Sequence, residues 1–302
     1  MKTETIADVI IIGGSYAGLS AAMALGRALK KVIIIDSGKP CNAQTPHSHN
    51  FLTRDGETPD ALRSISLEQV LLYPSVKLIS AYANSAAQLE NGFRITTNEG
   101  KEFICKKLIL ATGVKDIFPE IKGFSDCWGI SVIHCPYCHG YEVKHANTGI
   151  IANGEMAFEF AKLIHNWTKN LILFSNGAID LDSAKLSKLA EKNIQIVEDE
   201  VEEIVHENGK IKHLLFRNGN TQVLEAVYAR GSFEQNTNII SDLSIKLSEQ
   251  GFVEVDNFKQ TSIFGIYAAG DCTTMMRTVS QAVASGTLAG VSVSKQLMEE
   301  EF

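Results

Sequence analysis

Short apolar runs alternate with amphipathic stretches from the start of the chain. Residues 9–12 and 32–35 are all β-branched, and such runs are typical of buried strands. Between them lie a glycine-rich turn and residues 19–29, whose alanines and leucines predict a helix. The order strand, turn, helix, strand predicts a βαβ unit with parallel strands.

The same order recurs about 140 residues later in the chain. Residues 148–151 predict a strand, residues 158–167 a helix and residues 171–174 the next strand. Turn signals further predict two hairpins, residues 93–97 with 102–105 and residues 211–217 with 221–224. The remaining predicted elements are a partly helical segment at 51–80, strands at 108–113 and 265–271, and a long helix at 278–298.

This pattern predicts an α/β fold with two Rossmann-like domains. We expect residues 1–114 to form the first part of one domain and residues 115–240 to form the second domain. Residues 241–302 then return to complete the first domain. No low-complexity linker separates these parts.

The first turn carries a dinucleotide-binding fingerprint with serine in its middle slot. A glycine permits the tight turn, another lets the helix pack closely on the strand, and the pyrophosphate rests on the helix N-terminus. An acid at the end of the second strand accepts hydrogen bonds from ribose hydroxyls. The alternative is a glycine turn that only packs. The candidate residues are Gly13, Gly14, Ser15, Ala17, Gly18 and Asp36.

The second turn, Ala152-x-Gly154-x-x-Ala157, is a poorer match because alanine replaces its first glycine. An NADPH site needs basic side chains after the following strand, but here Asp180 and Asp182 follow. Losing two charged hydrogen bonds would cost roughly two to four decades of affinity. The sequence therefore predicts a degenerate NADPH site, and a degenerate site that still works is the alternative.

The run His134-Cys135-Pro136-Tyr137-Cys138-His139 lies between the two units. A Cys-x-x-Cys pair can form and break a disulfide at low cost, and its thiolate pKa responds to nearby histidine and positive charge. Haem attachment would require export, for which residues 1–8 give no signal. Zinc would need adjacent ligands to converge on one ion, with no second ligand pair elsewhere. Redox chemistry is therefore favoured, and no metal site is predicted. A redox pair between two nucleotide-binding units suggests a flavin that exchanges electrons with a disulfide.

Thiolate chemistry needs a proton donor and acceptor nearby. His139 directly follows Cys138 and is favoured for this role, while His134 is the second candidate. Glu142 is the candidate carboxylate for orienting a histidine. A purely structural histidine is the alternative for both.

Several further residues follow strands of the first domain. Thr112 and Gly113 end one predicted strand, and Gly270 and Asp271 end another, where a carboxylate or backbone amide can approach ribityl and phosphate oxygens. On the following helix, Gln281 is a candidate for reaching a flavin ring. A surface or packing role is the alternative for each. A solvated side chain is the simple interpretation of Arg277, and His47 and His49 are not predicted to act as ligands.

Composition excludes some classes of function. The 302 residues are 45% hydrophobic and 21% charged, with a net charge of −7. That balance argues against nucleic-acid binding and a basic membrane surface. Six cysteines in a chain this long do not form a disulfide scaffold. With no apolar run of membrane-spanning length, the predicted location is the cytoplasm.

In this order and over essentially the whole length, these motifs resemble the low-molecular-weight thioredoxin reductase family of FAD-dependent pyridine nucleotide-disulfide oxidoreductases. The stretch at residues 49–56 and the Cys-x-x-Cys-His-Gly-Tyr-Glu run look most like a branch with dithiol oxidases of the gliotoxin and holomycin kind. That branch also includes reductase-like proteins that lack the NADPH motif. The resemblance implies a thioredoxin reductase-like fold, FAD in the first domain and a homodimer. It also implies that Cys138 faces the flavin, while Cys135 attacks the disulfide of the substrate.

The resemblance therefore predicts a flavoprotein that exchanges electrons between FAD and a redox-active disulfide. Its partner would be a thioredoxin-like protein or a small-molecule dithiol or disulfide. An NADPH-dependent thioredoxin reductase is one alternative, and a non-enzymatic FAD-bound redox sensor is another.

Overall fold

A computed structural model describes residues 5–302, so part of the predicted polar start, residues 1–4, lies outside the described residues. The first part of the chain contains, in order, β1 (Thr5–Ile12), α1 (Tyr16–Arg27), β2 (Val32–Asp36), α2 (Pro59–Leu71), β3 (Val76–Ser80), β4 (Ala83–Leu89), β5 (Gly92–Thr97) and β6 (Glu102–Leu110). These strands form one sheet in the order β3-β2-β1-β6-β5-β4. Because β1 is parallel to both β2 and β6, the carboxyl ends of these strands meet at one edge.

The strand β6 corrects one prediction. The sequence predicted separate strands at 102–105 and 108–113, whereas the structure has a single strand up to Leu110. Lys106 and Lys107 interrupt the apolar pattern between them. Lys107 is nevertheless buried, and its ammonium pairs with the Glu300 carboxylate at 2.5 Å, so the lysine lies within the strand.

The middle of the chain forms a second parallel sheet and two small antiparallel ones. Its elements are β7 (Val114–Ile117), α3 (Phe124–Cys127), β8 (Val132–Ile133), α4 (Pro136–His139), β9 (Thr148–Ile151), α5 (Gly154–Ile164), β10 (Leu171–Phe174), α6 (Ser183–Glu191), β11 (Gln195–Val197), β12 (Val201–Glu207), β13 (Lys210–Phe216), β14 (Thr221–Val223), β15 (Ala226–Ala229) and β16 (Ser232–Gln235). The parallel sheet has the order β11-β10-β9-β15-β8, while β12-β13-β14 and β16-β7 are separate.

The last part of the chain returns to the first sheet. It contains α7 (Ile239–Asp242), β17 (Ile266–Ala268), a short 3₁₀ turn (Asp271–Thr273) and α8 (Val279–Glu301). β17 pairs in parallel with β6. α8 packs so closely on α1 that a Cβ at Gly286 would lie 2.1 Å from the carbonyl oxygen of Ala17. The fold is thus α/β with two Rossmann-type sheets, as predicted, while the domain boundaries remain predictions.

Polar contacts hold the second sheet's unit against the first. The side-chain amide of Gln44, in the loop after β2, donates to the carbonyl oxygens of Trp128 and Ser125. Arg277, between β17 and α8, forms a two-pronged ion pair with Asp116 of β7, the strand that leads into the second unit. These contacts position the Cys-x-x-Cys segment over the carboxyl edge of the first sheet.

Candidate active site

A large cavity lies at this edge, between the two units. Its volume is about 960 Å³, near the upper end of the roughly 300–1,000 Å³ typical of cofactor and ligand pockets. Of the predicted residues, twelve line it, namely Gly13, Gly14, Ser15, Ala17, Asp36, Thr112, Gly113, His134, Cys138, His139, Gly270 and Asp271. The structure therefore brings the glycine turn and half of the cysteine pair to one site.

Three predicted residues stand outside the cavity wall. Gly18 lies behind the turn, where a Cβ would come within 1.9 Å of the carbonyl oxygen of Gly13, so it allows the close helix–strand packing expected of it. Gln281 does not line the cavity, whereas Val279 and Ala282 of the same helix do. Cys135 lies one turn away from Cys138 and also stands outside the wall.

The glycine turn leaves donors facing the cavity. Gly13 has φ +104°, a conformation that only glycine adopts readily. Ser15 is the N-cap of α1, yet its side chain makes no capping hydrogen bond within residues 5–302. The first N–H groups of α1 therefore remain available to an anion.

Asp36 is held rigidly at the end of β2. One carboxylate oxygen accepts a hydrogen bond from the Gly14 N–H at 2.9 Å, and the other accepts from Arg63 at 2.7 Å. Arg63 comes from α2 and carried no signal in the sequence. The carboxylate is thus fixed beside the turn, with its remaining lone pairs available to a ribose.

A cluster of charges also lines the cavity. Arg277 donates to both oxygens of Asp116, at 2.6 and 3.0 Å, and to Asp271 at 3.4 Å. The simple alternative of a solvated arginine is wrong, because its side chain is only 16% exposed. Burial works against the charge of Arg277, but its hydrogen bonds with Asp116 keep its pKa above the ordinary range. Burial raises the pKa of Asp271, and Arg277 opposes that effect.

The cysteine pair straddles the start of α4. Cys135 is the N-cap residue and Pro136 occupies the first turn, which suits its fixed φ. The pKa of Cys135 is lowered to about 7, because the Cys138 thiol donates to its sulfur and the backbone N–H groups of Cys138 and Tyr137 do the same, against an opposing effect of burial. Donation to Cys135 and burial raise the pKa of Cys138. Cys135 is therefore the more acidic thiol and the better nucleophile near neutral pH.

Both predicted histidines are partly buried, and burial acts on the pKa of each ring. Burial lowers the pKa of His134 to about 4, and its ring stacks on Trp128 with centroids 5.4 Å apart. Its Nε2 is buried and has no hydrogen-bond partner in the described part of the chain. Burial, and then the charge of His49, lower the pKa of His139. Both rings are uncharged at neutral pH, and the low pKa of His134 makes that ring a weak proton acceptor.

His49, which was not predicted to act as a ligand, lines the cavity. Its ring lies 6.4 Å from that of His139, edge to face. Its nitrogens lie 3.5 Å from a carboxylate oxygen of Glu142 and 3.7 Å from one of Asp55. The predicted orienting carboxylate, Glu142, therefore contacts His49, which lies between it and His139.

These residues fit a flavin dinucleotide. The cavity has the size, the free N–H groups of α1 suit a pyrophosphate, and the fixed Asp36 suits a ribose. The orphaned Nε2 of His134 is a buried polar atom that a bound molecule could satisfy. Within residues 5–302, no cluster of three or more His, Cys, Asp or Glu side chains is placed to hold a metal ion. None of the helices in that range is both long and apolar enough to cross a membrane.

A known protein family and known relatives match most of this chain. A family model described as pyridine nucleotide-disulphide oxidoreductase matches residues 7–286. Thioredoxin reductase tcpT of Claviceps purpurea is 31% identical, over 99% of this chain and 97% of that protein. Thioredoxin reductase aclD of Aspergillus oryzae is 33% identical, over 97% of each.

Among solved structures, the Bacillus anthracis protein TrxB superimposes with a TM-score of 0.94 at 30% identity, covering 98% of this chain and 100% of that one. The predicted resemblance to thioredoxin reductases is thus confirmed, and with it the flavin that the family implies. The chain belongs to the pyridine nucleotide-disulphide oxidoreductase family and is a thioredoxin reductase-like oxidoreductase.

Proposed function

We propose that this enzyme couples FAD to a redox-active Cys135–Cys138 disulfide and oxidises a dithiol substrate without using NADPH. The observation that carries the proposal is that Cys138 and His139 of the second unit share one cavity with the glycine turn and Asp36 of the first. Bound FAD would supply a two-electron acceptor at this cavity, and oxygen would reoxidise it after each turnover. Cys138 also lines a second, smaller cavity, so it lies between the proposed cofactor site and a candidate substrate site.

The chemistry of the chain's own residues follows from the two thiol pKa values. The first substrate thiol gives its proton to His139 as its sulfur attacks the Cys135–Cys138 bond and forms a mixed disulfide with one of the cysteines. The second substrate sulfur then displaces that cysteine and closes the product disulfide, while its proton passes to Cys138. The substrate loses two electrons and two protons, and the enzyme sulfurs gain the electron pair. One proton stays on Cys138, whose pKa is raised, while Cys135 remains as the thiolate. The uncharged ring of His139 accepts the other proton.

The second Rossmann turn supports the absence of NADPH from this reaction. The side chain of Asn153 occupies the turn, where its oxygen accepts from the N–H groups of Gly154 and Asp180. Its amide donates to the carbonyl oxygens of Ser175 and Ala178. The N-terminus of α5 and the loop after β10 are thus tied to each other, in the place where a pyrophosphate would lie.

The charges around that turn are also unfavourable. Glu155 stands in the first turn of α5, where an incoming pyrophosphate would need positive potential. The nearby Lys185 is already paired with Glu155 at 2.6 Å and with Asp182 at 3.1 Å. A dinucleotide phosphate would therefore meet a carboxylate at the helix end and no free cation from this lysine.

A second, smaller cavity supports a small-molecule substrate over a thioredoxin-like protein. Its volume is about 360 Å³, at the lower end of the range for small-molecule sites. Cys138 is part of its wall, and three aromatic side chains line it, those of Tyr137, Tyr141 and Trp167. Tyr137 and Trp167 meet edge to face at 5.4 Å. This groove fits a compact dithiol with an apolar or aromatic body.

The groove can be tested with a specificity comparison. Tyr141→Ala should raise the KM for an aromatic dithiol several-fold and leave dithiothreitol unaffected, because dithiothreitol has no ring to stack. Phe258→Ala is a matched control, since Phe258 is an exposed aromatic residue that lines neither cavity. An equal effect of both variants, or efficient turnover of thioredoxin alone, would refute the small-molecule substrate.

The function itself is tested by mixing purified protein anaerobically with dithiothreitol, NADPH or NADH and following the flavin absorbance. Rapid bleaching by dithiothreitol and none by the nicotinamides is the expected result. Rapid bleaching by NADPH would instead favour an NADPH-dependent thioredoxin reductase. Absence of dithiol-driven oxygen uptake in air would favour a non-enzymatic redox sensor. The homodimer and the cytoplasmic location remain predictions, for sedimentation and cell fractionation to test.

A further inference from the structure

Three imidazole rings form a row that leads from the cysteine segment to the protein surface. The ring of His139, the residue after Cys138, lies 6.4 Å from the ring of His49. The ring of His49 in turn lies 6.3 Å from that of His47. His139 and His49 are half-buried, whereas His47 is exposed. This histidine row therefore begins at the wall of the large cavity and ends in solvent.

His49, the middle ring of the histidine row, stands where the two cavities meet. It lines both the large cavity and the smaller aromatic groove, as Cys138 does. Its Nε2 is 3.5 Å from a carboxylate oxygen of Glu142, and its Nδ1 is 3.7 Å from one of Asp55. Either carboxylate can pair with the ring while it holds an extra proton. His49 is thus flanked by two carboxylates and by the rings of the other two histidines.

His47, the outer ring, is placed to exchange a proton with water. Its Nδ1–H donates to the carbonyl oxygen of Gly56 at 3.0 Å. A carbonyl oxygen can only accept, so Nδ1 carries the hydrogen of the uncharged ring and Nε2 is its proton acceptor. The backbone contact therefore fixes which nitrogen of His47 can take a proton.

The proposed dithiol oxidation leaves one proton that has to be carried away. The substrate dithiol loses two electrons and two protons, of which one proton goes to Cys138 and the other to His139. The Cys138 proton leaves with the electron pair when the disulfide closes again, so the His139 proton has to reach solvent before the next turnover. Burial lowers the pKa of His139, which favours this release. Oxygen finally takes the electron pair and two protons as hydrogen peroxide, and one of those protons comes back from solvent.

We propose that His49 and His47 carry this proton from His139 to solvent, with Glu142 and Asp55 pairing with His49 while it holds the charge. The inference rests on the proposed dithiol oxidation and gives that reaction a proton path. Because neighbouring ring centroids are 6.3–6.4 Å apart, one bridging water can complete the hydrogen bond between each pair of rings. The same path returns a proton when oxygen is reduced.

The test is steady-state oxygen uptake with dithiothreitol in His49→Gln, because glutamine keeps a polar side chain that does not exchange a proton near neutral pH. Turnover at pH 7 should fall about tenfold, less than the roughly hundredfold typical of a direct acid–base residue. Added imidazole should restore most of the rate by replacing the missing proton carrier. The first anaerobic reduction of the flavin should slow less than steady-state turnover, because His139 still accepts the first proton. His47→Gln should lose less activity, since water can replace an exposed ring.

His206→Gln is the matched control. The side chain of His206 is 23% exposed, against 19% for His49, and it also lies 3.5 Å from a carboxylate, that of Asp126. His206 lines neither cavity, so its variant should match the wild type with or without imidazole.

A second variant, His49→Asn, repeats the test with a shorter amide side chain. Wild-type turnover in the folded His49 variants would overturn the proposal, and so would a loss of turnover that imidazole does not restore. Oxygen uptake by the wild type separates this result from a failure of the proposed function. If the wild type takes up no oxygen with dithiothreitol, the proposed function is wrong, and this inference falls with it.

Discussion

The ion pair between Arg277 and Asp116 offers a sharp test of how the site is built. The two side chains are only 16% and 7% exposed, and they join the end of the first sheet to the strand that enters the second unit. Arg277→Met would leave the Asp116 carboxylate buried and unpaired, which costs about 3–5 kcal/mol of unfolding free energy. At roughly 2 °C per kcal/mol for a chain of this size, the melting temperature should fall by about 6–10 °C.

The double variant Arg277→Met with Asp116→Leu separates the pair's own contribution from the cost of an orphaned charge. Replacing both members of a buried pair by apolar residues is often close to neutral, so it should recover more than half of the loss. Some loss should persist because Asp271 also loses its contact with Arg277. Urea unfolding of the wild type, Arg277→Met, Asp116→Leu and the double variant measures these differences.

A surface pair supplies the matched control. Arg217 pairs with Glu200 at 2.8 Å, but their side chains are 72% and 52% exposed. Arg217→Met should therefore cost at most about 1 kcal/mol. If Arg277→Met lowers the unfolding free energy no more than Arg217→Met, burial does not determine the contribution of the Arg277–Asp116 pair. The same conclusion follows if the double variant is no more stable than Arg277→Met alone.

Three further predictions concern the cofactor turn, the thiol and the second Rossmann turn. Gly18→Val should yield folded protein with little bound flavin, measured by the ratio of flavin to protein absorbance, because its Cβ would lie 1.9 Å from the Gly13 oxygen; wild-type flavin content would contradict this. In the reduced wild type, the rate at which iodoacetamide alkylates Cys135, followed by mass spectrometry of its peptide, should be half-maximal near pH 7 and slow below it, where the thiol is protonated. A midpoint near the ordinary thiol value of 9.0 would refute Cys135 as the more acidic thiol. Asn153→Ala should lower the unfolding free energy by about 1–2 kcal/mol through loss of the α5 cap without permitting reduction by NADPH, and NADPH-driven bleaching in this variant would show that Asn153 alone closes the site.

The sequence predicted those parts of the site that depend on local pattern. A β-branched strand, a glycine turn and a terminal acid follow one another along the chain, so Gly13 and Asp36 could be placed from spacing alone. The Cys-x-x-Cys pair is equally local. The family resemblance then supplied their arrangement around one cofactor, which no pattern within a single segment contains.

The sequence alone could not predict contacts between segments that are distant along the chain. Arg277 and Asp116 are 161 residues apart, and an isolated arginine in a loop gives no indication of a buried partner. His49 enters the site because its loop lies beside α4 in the folded chain.

The proposed function requires the sulfur of Cys138 to touch the flavin, and the absorbance spectrum of Cys135→Ser reports on this contact. Without Cys135, the Cys138 thiol no longer donates its proton to a neighbouring sulfur and can ionise beside the oxidised flavin. We predict a broad long-wavelength charge-transfer band in Cys135→Ser that grows with pH and is absent from Cys138→Ser. If Cys135→Ser shows no such band at any pH at which the flavin stays bound, or if both variants show an equal band, the sulfur of Cys138 does not touch the flavin as proposed.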